Sequence, residues 1–98
     1  MERERLTRKL NSVGKEAFVI HYHLFKEYAN NRITKEMAIQ KLVGKGRSNQ
    51  AGASIRLGNA KSIFSEKGNG EALIMVQESK LPEEIRELAK TIHEEDCK

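Results

Sequence analysis

Apolar residues recur at spacings of three and four along the middle of this chain. From about residue 49 to residue 64 the pattern predicts one amphipathic helix, because such spacings place side chains on the same helical face. Ser48 is predicted as its N-cap, since a serine hydroxyl accepts hydrogen bonds from backbone N–H groups of the first turn. The predicted apolar stripe is Ala53, Leu57, Ala60 and Phe64, and the opposite side is predicted to be polar, with a row formed by Asn49, Gly52, Arg56 and Asn59.

The same periodicity predicts helices elsewhere. The range 13–29 is predicted to be the central core helix, and a helix capped by Thr34 is predicted to end at Gly44. A last helix is predicted to begin at Pro82, which suits a first helical position. Residues 71–78 fit a helix or a strand, and the lack of a second strand in the chain favours the helix.

These elements predict an all-α fold, a compact bundle of about five helices in one domain spanning residues 1–98. Residues 1–11 are expected to form a short surface helix or a mobile arm, and residues 94–98 a frayed tail. The segment 34–64 has the outline of a helix-turn-helix pair at the centre of the bundle. A plain pair of packed antiparallel helices explains the same pattern.

The distribution of charge adds a functional indication. The chain has 98 residues and a net charge of +4. Residues 1–67 hold fourteen Lys and Arg against six Glu, a balance of +8, whereas residues 68–98 hold four against eight, a balance of −4. A basic region of this kind is typical of nucleic-acid binding, although solvated basic surfaces without a partner are common. The acidic last helix is expected to lie away from DNA or to bind a basic protein surface.

A candidate nucleic-acid site follows from the glycine-rich turn and the helix after it. Lys45, Arg47 and Ser48 are predicted to contact phosphates, because a helix N-terminus presents free backbone N–H groups to anions. Arginine and asparagine side chains match the edges of guanine and adenine in the major groove. The predicted site residues are Lys45, Arg47, Ser48, Asn49, Gln50, Arg56 and Asn59, with Gly52 allowing close approach. The alternative is a solvated helix face that contains a glycine.

The sequence offers little for catalysis or for metal binding. Cys97 is the only cysteine, and His21 and His23 would point in different directions on a helix, one partly buried and one exposed. No phosphate-binding loop or nucleophile motif is present. We therefore expect a non-catalytic protein with no cofactor, no metal and no small-molecule substrate. The absence of a long apolar run or an N-terminal apolar segment leads us to expect no membrane partner and a cytoplasmic location.

One set of positions resembles a known class of module. They are helix-cap and core positions between residues 22 and 64, and the resemblance is to a small helical accessory module of bacterial HNH-type and restriction-related nucleases. The positions are Tyr22, Phe25, Tyr28, Asn31, Ile33, Thr34, Glu36, Ala38, Leu42, Gly46, Ser48, Ala53, Ile55, Ile63 and Phe64. The resemblance implies a DNA-associated setting, such as a stand-alone accessory protein of a phage or mobile element. It does not imply nuclease activity, because the His-Asn-His metal site has no counterpart among His21, His23 and His93.

Two functional hypotheses follow. The first is a small regulatory protein that binds or associates with duplex DNA through the glycine turn and the following helix. The second is a protein interaction module, either a homodimer or a phage or mobile-element factor that binds a host protein.

Overall fold

Seven helices account for most of the residues that the structure describes. The computed structural model describes residues 2–44 and 49–97, and no strand occurs in these two ranges. The helices are α1 (Arg3–Val13), α2 (Lys15–Ile20), α3 (Tyr22–Ala29), α4 (Lys35–Gly44), α5 (Gln50–Ser65), α6 (Asn69–Gln77) and α7 (Glu83–Asp96). The all-α class is therefore confirmed, whereas the expected number of about five helices is too low. Residues 71–77 belong to α6, and Glu78 is its C-cap. Of the two structures predicted for residues 71–78, helix and strand, the helix is therefore correct.

The predicted central helix over residues 13–29 is divided at two points. Gly14 has a φ of 93°, which disfavours any residue with a Cβ, and it separates α1 from α2. His21 leaves the helical region with φ −105° and ψ 22°, and it separates α2 from α3. The Phe25 N–H still donates to the His21 carbonyl, so the chain bends at this residue while its helical hydrogen bonding continues. Apolar periodicity extends across such a bend, and for this reason it did not reveal the division.

The core is built from every helix of the described chain. Leu6 and Leu10 of α1 are fully buried in it, so α1 is a structural part of the bundle and more than a surface helix or an arm. His21 is buried and His23 is exposed, as predicted for the histidine pair. The largest fully buried side chains are Tyr22, Phe18, Phe25, Leu6, Leu10, Leu42, Leu57, Ile63, Leu73, Val13, Val19 and Val76.

The helix ends show how local chemistry shapes the bundle. The Met37 N–H donates to Thr34 Oγ1 at 3.2 Å, which confirms Thr34 as the cap of α4. Pro82 is the N-cap of α7, one position before its predicted place.

Among the described helices, none has the length and apolar character needed to cross a bilayer.

Candidate nucleic-acid interface

Helix α5 is the element around which the bundle is arranged. It packs against α1, α3 and α4. Its stripe Ala53, Leu57 and Ala60 is fully buried as predicted, whereas Phe64 is only partly buried and Ile63 is fully buried. This packing decides which side of α5 remains available to a partner.

The polar row of α5 lies beside the buried stripe and not on the opposite side of the helix. Gly52, Arg56 and Asn59 are partly buried, and the next position of the same row is the buried Ile63. The most exposed face of α5 carries residues with short or apolar side chains, namely Ala51, Ile55, Gly58 and Ser65. The expected outward-facing row of amides and a guanidinium is therefore found only in part: Asn49 is exposed, whereas Gly52, Arg56 and Asn59 are half-buried along the flank on which α1 packs.

At the start of α5, Asn49 is the N-cap in place of the predicted Ser48. Its Oδ1 accepts a hydrogen bond of 2.7 Å from the Gly52 N–H. A Cβ on Gly52 would lie 3.1 Å from that oxygen, which is closer than ordinary contact. The absence of a side chain at Gly52 therefore leaves space for the Asn49 side chain. Asn49 Oδ1 is already engaged in the hydrogen bond that caps α5.

The remaining predicted site residues are dispersed. Gln50 lines an apolar groove on the α4 side, together with Ile39, Gln40, Val43 and Gly44. Arg56 lines a different groove, which it shares with Asn11, Gly14, Lys15, Glu16, Ala17 and Leu81. Lys45, Arg47 and Ser48 lie outside the described residues, so their predicted phosphate contacts stay predictions.

Asn59 faces a groove between α5 and α1 that is rich in cations. The groove is lined by Glu2, Arg5, Arg8, Lys9, Ser12 and Asn59. Its α1 residues 5, 8, 9 and 12 follow helical spacing and therefore lie on one face of α1. We call this groove, together with the adjoining one that contains Lys15 and Arg56, the α1–α5 seam.

The contacts along the seam show that α1 and α5 run antiparallel. Arg5 Nη1 lies 3.0 Å from Glu66 Oε1, at the C-terminal end of α5. Farther along α1, Ser12 shares a groove with Asn59, and Lys15 shares the next groove with Arg56. As the α1 number rises the α5 number falls, so cationic side chains accompany the seam from Arg5 to Lys15. Within α1, from Arg5 to Ser12, the seam is roughly 10 Å long at 1.5 Å per residue.

Sequence reasoning missed the importance of α1. Its Arg5, Arg8 and Lys9 were interpreted as part of a surface helix or arm, with alternating charges. The available signal was the spacing of four and three between Leu6, Leu10 and Val13, which is typical of a buried helix face. This face packs against the core, on the side of α1 away from its cations. Once that side is buried, the cations must project along the boundary with the neighbouring helix.

A second polar cluster joins the C-terminal end of α7 to α3 and α6. The Tyr22 hydroxyl donates to Asp96 Oδ2 at 2.6 Å and accepts from Asn69 Nδ2 at 2.9 Å. Lys26 Nζ forms an ion pair with Asp96 Oδ1, and Cys97 Sγ lies 3.7 Å from the Tyr22 hydroxyl. We call these five residues the C-terminal clasp. These contacts tie Asp96 and Cys97 to α3 and α6, and the expected fraying of residues 94–98 stays a prediction.

The clasp changes the acidity of two of its members. The hydrogen bond from Lys26, and after it the one from Tyr22, lowers the pKa of Asp96. Burial raises the pKa of the Tyr22 phenol, and its hydrogen bond to Asp96 adds to this effect. Sequence could show only that Tyr22 and Lys26 are four apart on one helix, because Asn69 and Asp96 are distant in the chain.

Neither cluster is a metal centre. Across residues 2–44 and 49–97, no three His, Cys, Asp or Glu side chains are grouped so that they could hold a metal ion. The arrangement of the seam instead suits an anionic partner, and that of the clasp suits a structural role.

Comparison of this sequence with protein family models, with curated proteins and with solved structures finds no match. The resemblance to nuclease accessory modules therefore stays a hypothesis.

Proposed function

We propose that this protein is a non-catalytic binder of duplex DNA that contacts the phosphate backbone through the α1–α5 seam. The observation that carries the proposal is the groove in which Asn59 of α5 lies beside Arg5, Arg8 and Lys9 of α1. Arginine and lysine side chains pair with phosphate, and amide and hydroxyl groups hydrogen-bond to it. Compared with the sequence-based hypothesis, the proposed interface includes α1 and relies less on the glycine turn.

The geometry favours contact with phosphates over reading of bases. A major groove is about 12 Å wide and admits one helix. Two helices packed side by side are roughly 20 Å across, given interaxial distances of about 8–10 Å and a helix diameter of about 10–12 Å. Helix α5, with α1 along its flank, is therefore a poor fit as a helix-turn-helix recognition helix.

The amide side chains of α5 support the same conclusion. Asn59 Nδ2 donates to the Ile55 carbonyl at 3.0 Å, and Asn49 Oδ1 caps the helix. Asn49 therefore lacks the free acceptor that a bidentate contact to adenine requires, whereas Asn59 uses only one of its two amide N–H donors within α5. Contacts to phosphate need only one donor, which Asn59 retains.

Duplex is favoured over single-stranded nucleic acid. Proteins that bind single strands stack bases on exposed aromatic rings. Among the described residues, the groove around Asn59 is lined by charged and polar side chains. Phe18, Tyr22 and Phe25 are fully buried, so their rings cannot serve as a stacking surface.

The test is a titration of a labelled duplex of about 20 base pairs by fluorescence anisotropy, at about 50 and 200 mM salt. We expect affinity to fall steeply with salt and two unrelated duplex sequences to bind about equally. Lys9→Ala should weaken binding to both sequences about fivefold and flatten the dependence of log Kd on log salt by about one.

Lys90→Ala is the matched control. It removes the same single positive charge from an exposed lysine, but on α7. Its effect should be less than about twofold, because no residue of α7 lines the grooves of the seam and exposed charges more than about 10 Å apart are largely screened near 0.1 M salt. Equal losses for Lys9→Ala and Lys90→Ala would contradict the assigned interface. Absence of binding to any duplex at the lower salt would contradict the function.

A second candidate function is self-association through α5. Ile55 is 60% exposed on the outer face of this helix, and Gly58 has open space where a Cβ would stand. Such a face lets another helix approach closely. Sedimentation velocity over a concentration series, with Ile55→Glu as the disrupting variant, tests it: a monomer mass at every concentration would exclude a homodimer.

A further inference from the structure

The cations of α1 differ in how strongly the protein itself already holds them. Arg3 contacts two carboxylates. One is Glu71 of α6, at 3.2 Å, and the other is Glu78, the C-cap of the same helix, at 3.5 Å. Arg5 pairs with Glu66 at 3.0 Å. Arg8 contacts Glu4 of its own helix at 3.6 Å. Lys9 makes no ion pair with any residue of the described ranges, so the same helix offers both engaged and available cations.

We propose that Glu66 is an internal competitor of phosphate, which holds Arg5 in the free protein and is displaced when nucleic acid binds the seam. Glu4 has the same relation to Arg8. This inference rests on the proposed function and concerns the regulation of that same site. Each ion pair must break before its arginine can bind a phosphate, so each carboxylate lowers the affinity of the seam for nucleic acid.

The exposure of these pairs makes the exchange feasible. The side chains of Arg5 and Arg8 are 54% and 77% exposed. Exposed ion pairs contribute little net free energy because water solvates both partners well. A duplex offers the guanidinium several phosphates in a dense array of negative charge, so it competes well with a single carboxylate.

The pairs also predict an order of importance along α1. Lys9 and Arg8 should contribute most to nucleic-acid binding, because they have no ion-pair partner or only a loose one. Arg5 should contribute less until Glu66 is removed. Arg3 should contribute least, because two carboxylates hold it and it does not line the groove around Asn59.

A double-mutant cycle tests the role of Glu66. The variants are Glu66→Gln, Arg5→Ala and the double variant, titrated with the same labelled duplex as the parent chain. We expect Glu66→Gln to tighten binding about two- to fivefold, which is the range of one exposed ion pair. In the Arg5→Ala background the same substitution should give less than half of that gain, because the released cation is missing.

Glu87→Gln is the control for net charge, since Glu87 is an exposed carboxylate of α7. Equal tightening by Glu66→Gln and Glu87→Gln would overturn the proposed competition while leaving the interface intact. A gain that persists fully in the Arg5→Ala background would also overturn it. If neither the parent chain nor Glu66→Gln binds duplex, the proposed function and this inference both fail.

Discussion

The seam and the clasp contain the same kind of interaction in two different environments. In both, a basic side chain from the first third of the chain meets a carboxylate that is distant in sequence, Arg5 with Glu66 and Lys26 with Asp96. The seam pair is largely solvated, with Arg5 54% exposed. In the clasp, the Asp96 side chain is only 19% exposed and also binds the fully buried Tyr22 hydroxyl.

The difference shows that the surroundings of an ion pair decide its role. Solvated pairs exchange partners readily and stabilise the fold little. Pairs anchored by a buried hydroxyl are costly to break, because a buried polar group loses its partner. We therefore expect changes in the clasp to alter stability, and changes in the seam to alter binding with little effect on stability.

The largest expected effect is the loss of the Asp96 carboxylate. Asp96→Ala removes the acceptor of both Tyr22 and Lys26, and we expect the free energy of unfolding to fall by about 2 kcal/mol. Urea denaturation followed by circular dichroism measures this change. Glu94→Ala, on the exposed side of the same helix, is the control and should cost less than about 0.5 kcal/mol. Similar losses for both variants would remove the distinction between clasp and surface.

The clasp also predicts loss of stability at both extremes of pH. The pKa of Asp96 is lower in the folded protein than in the unfolded chain, so its contribution is complete above an ordinary Asp pKa of about 3.9 and is lost in more acidic solution. The pKa of Tyr22 is raised by burial, so its contribution is complete below the ordinary value of about 10 and is lost as the pH rises above it.

Denaturation midpoints measured between pH 2 and pH 11 check both arms. Asp96→Asn should flatten the acidic arm, and Tyr22→Phe should flatten the alkaline one. An alkaline arm of unchanged steepness in Tyr22→Phe would show that another group causes it.

The two glycines of α5 differ in the stability change expected when each is replaced by alanine. Gly58→Ala should stabilise the protein by about 0.5–1 kcal/mol, because alanine loses less backbone entropy in a helix and no atom lies within 4 Å of the new Cβ. Gly52→Ala should give little or no gain, since its Cβ would meet the capping oxygen of Asn49 at 3.1 Å. If thermal denaturation shows that Gly52→Ala and Gly58→Ala stabilise the protein equally, the Asn49 side chain must move away from the new Cβ at no cost in free energy.

The smallest stability effect is expected in the seam itself. Arg8→Ala removes an exposed pair whose atoms are 3.6 Å apart, so the free energy of unfolding should change by less than about 0.5 kcal/mol. The same variant should weaken duplex binding about fivefold. Urea denaturation and the anisotropy titration, performed on one preparation, separate the two. A stability loss comparable to that of Asp96→Ala would mean that the seam is a structural element like the clasp.

Local patterns predicted several parts of this molecule well. The cap at Thr34, the buried positions Ala53, Leu57 and Ala60 and the all-α class follow from capping chemistry and periodicity, which act within a few residues. The bend at His21 was not predictable in the same way, because the apolar pattern continues through it. The helical alternative for α6 was favoured by elimination and proved correct.

The candidate site depended on information beyond a single helix. The row of Asn49, Gly52, Arg56 and Asn59 continues to Ile63 at the same spacing, and Ile63 is fully buried. That continuation was visible in the sequence and indicates a flank of the core instead of a solvent face. It could not show which helix covers the flank.

Sequence alone determined that the chain forms helices, that α4, α5 and α7 begin within a residue of their observed starts, and that positive charge gathers in the first two-thirds of the chain. Only the tertiary structure decided that α1 lies antiparallel to α5, and that Tyr22 meets Asn69 and Asp96. The reason is physical: caps and periodicity depend on neighbours within one or two turns, whereas the partner of a helix flank is selected by the packing of the whole core.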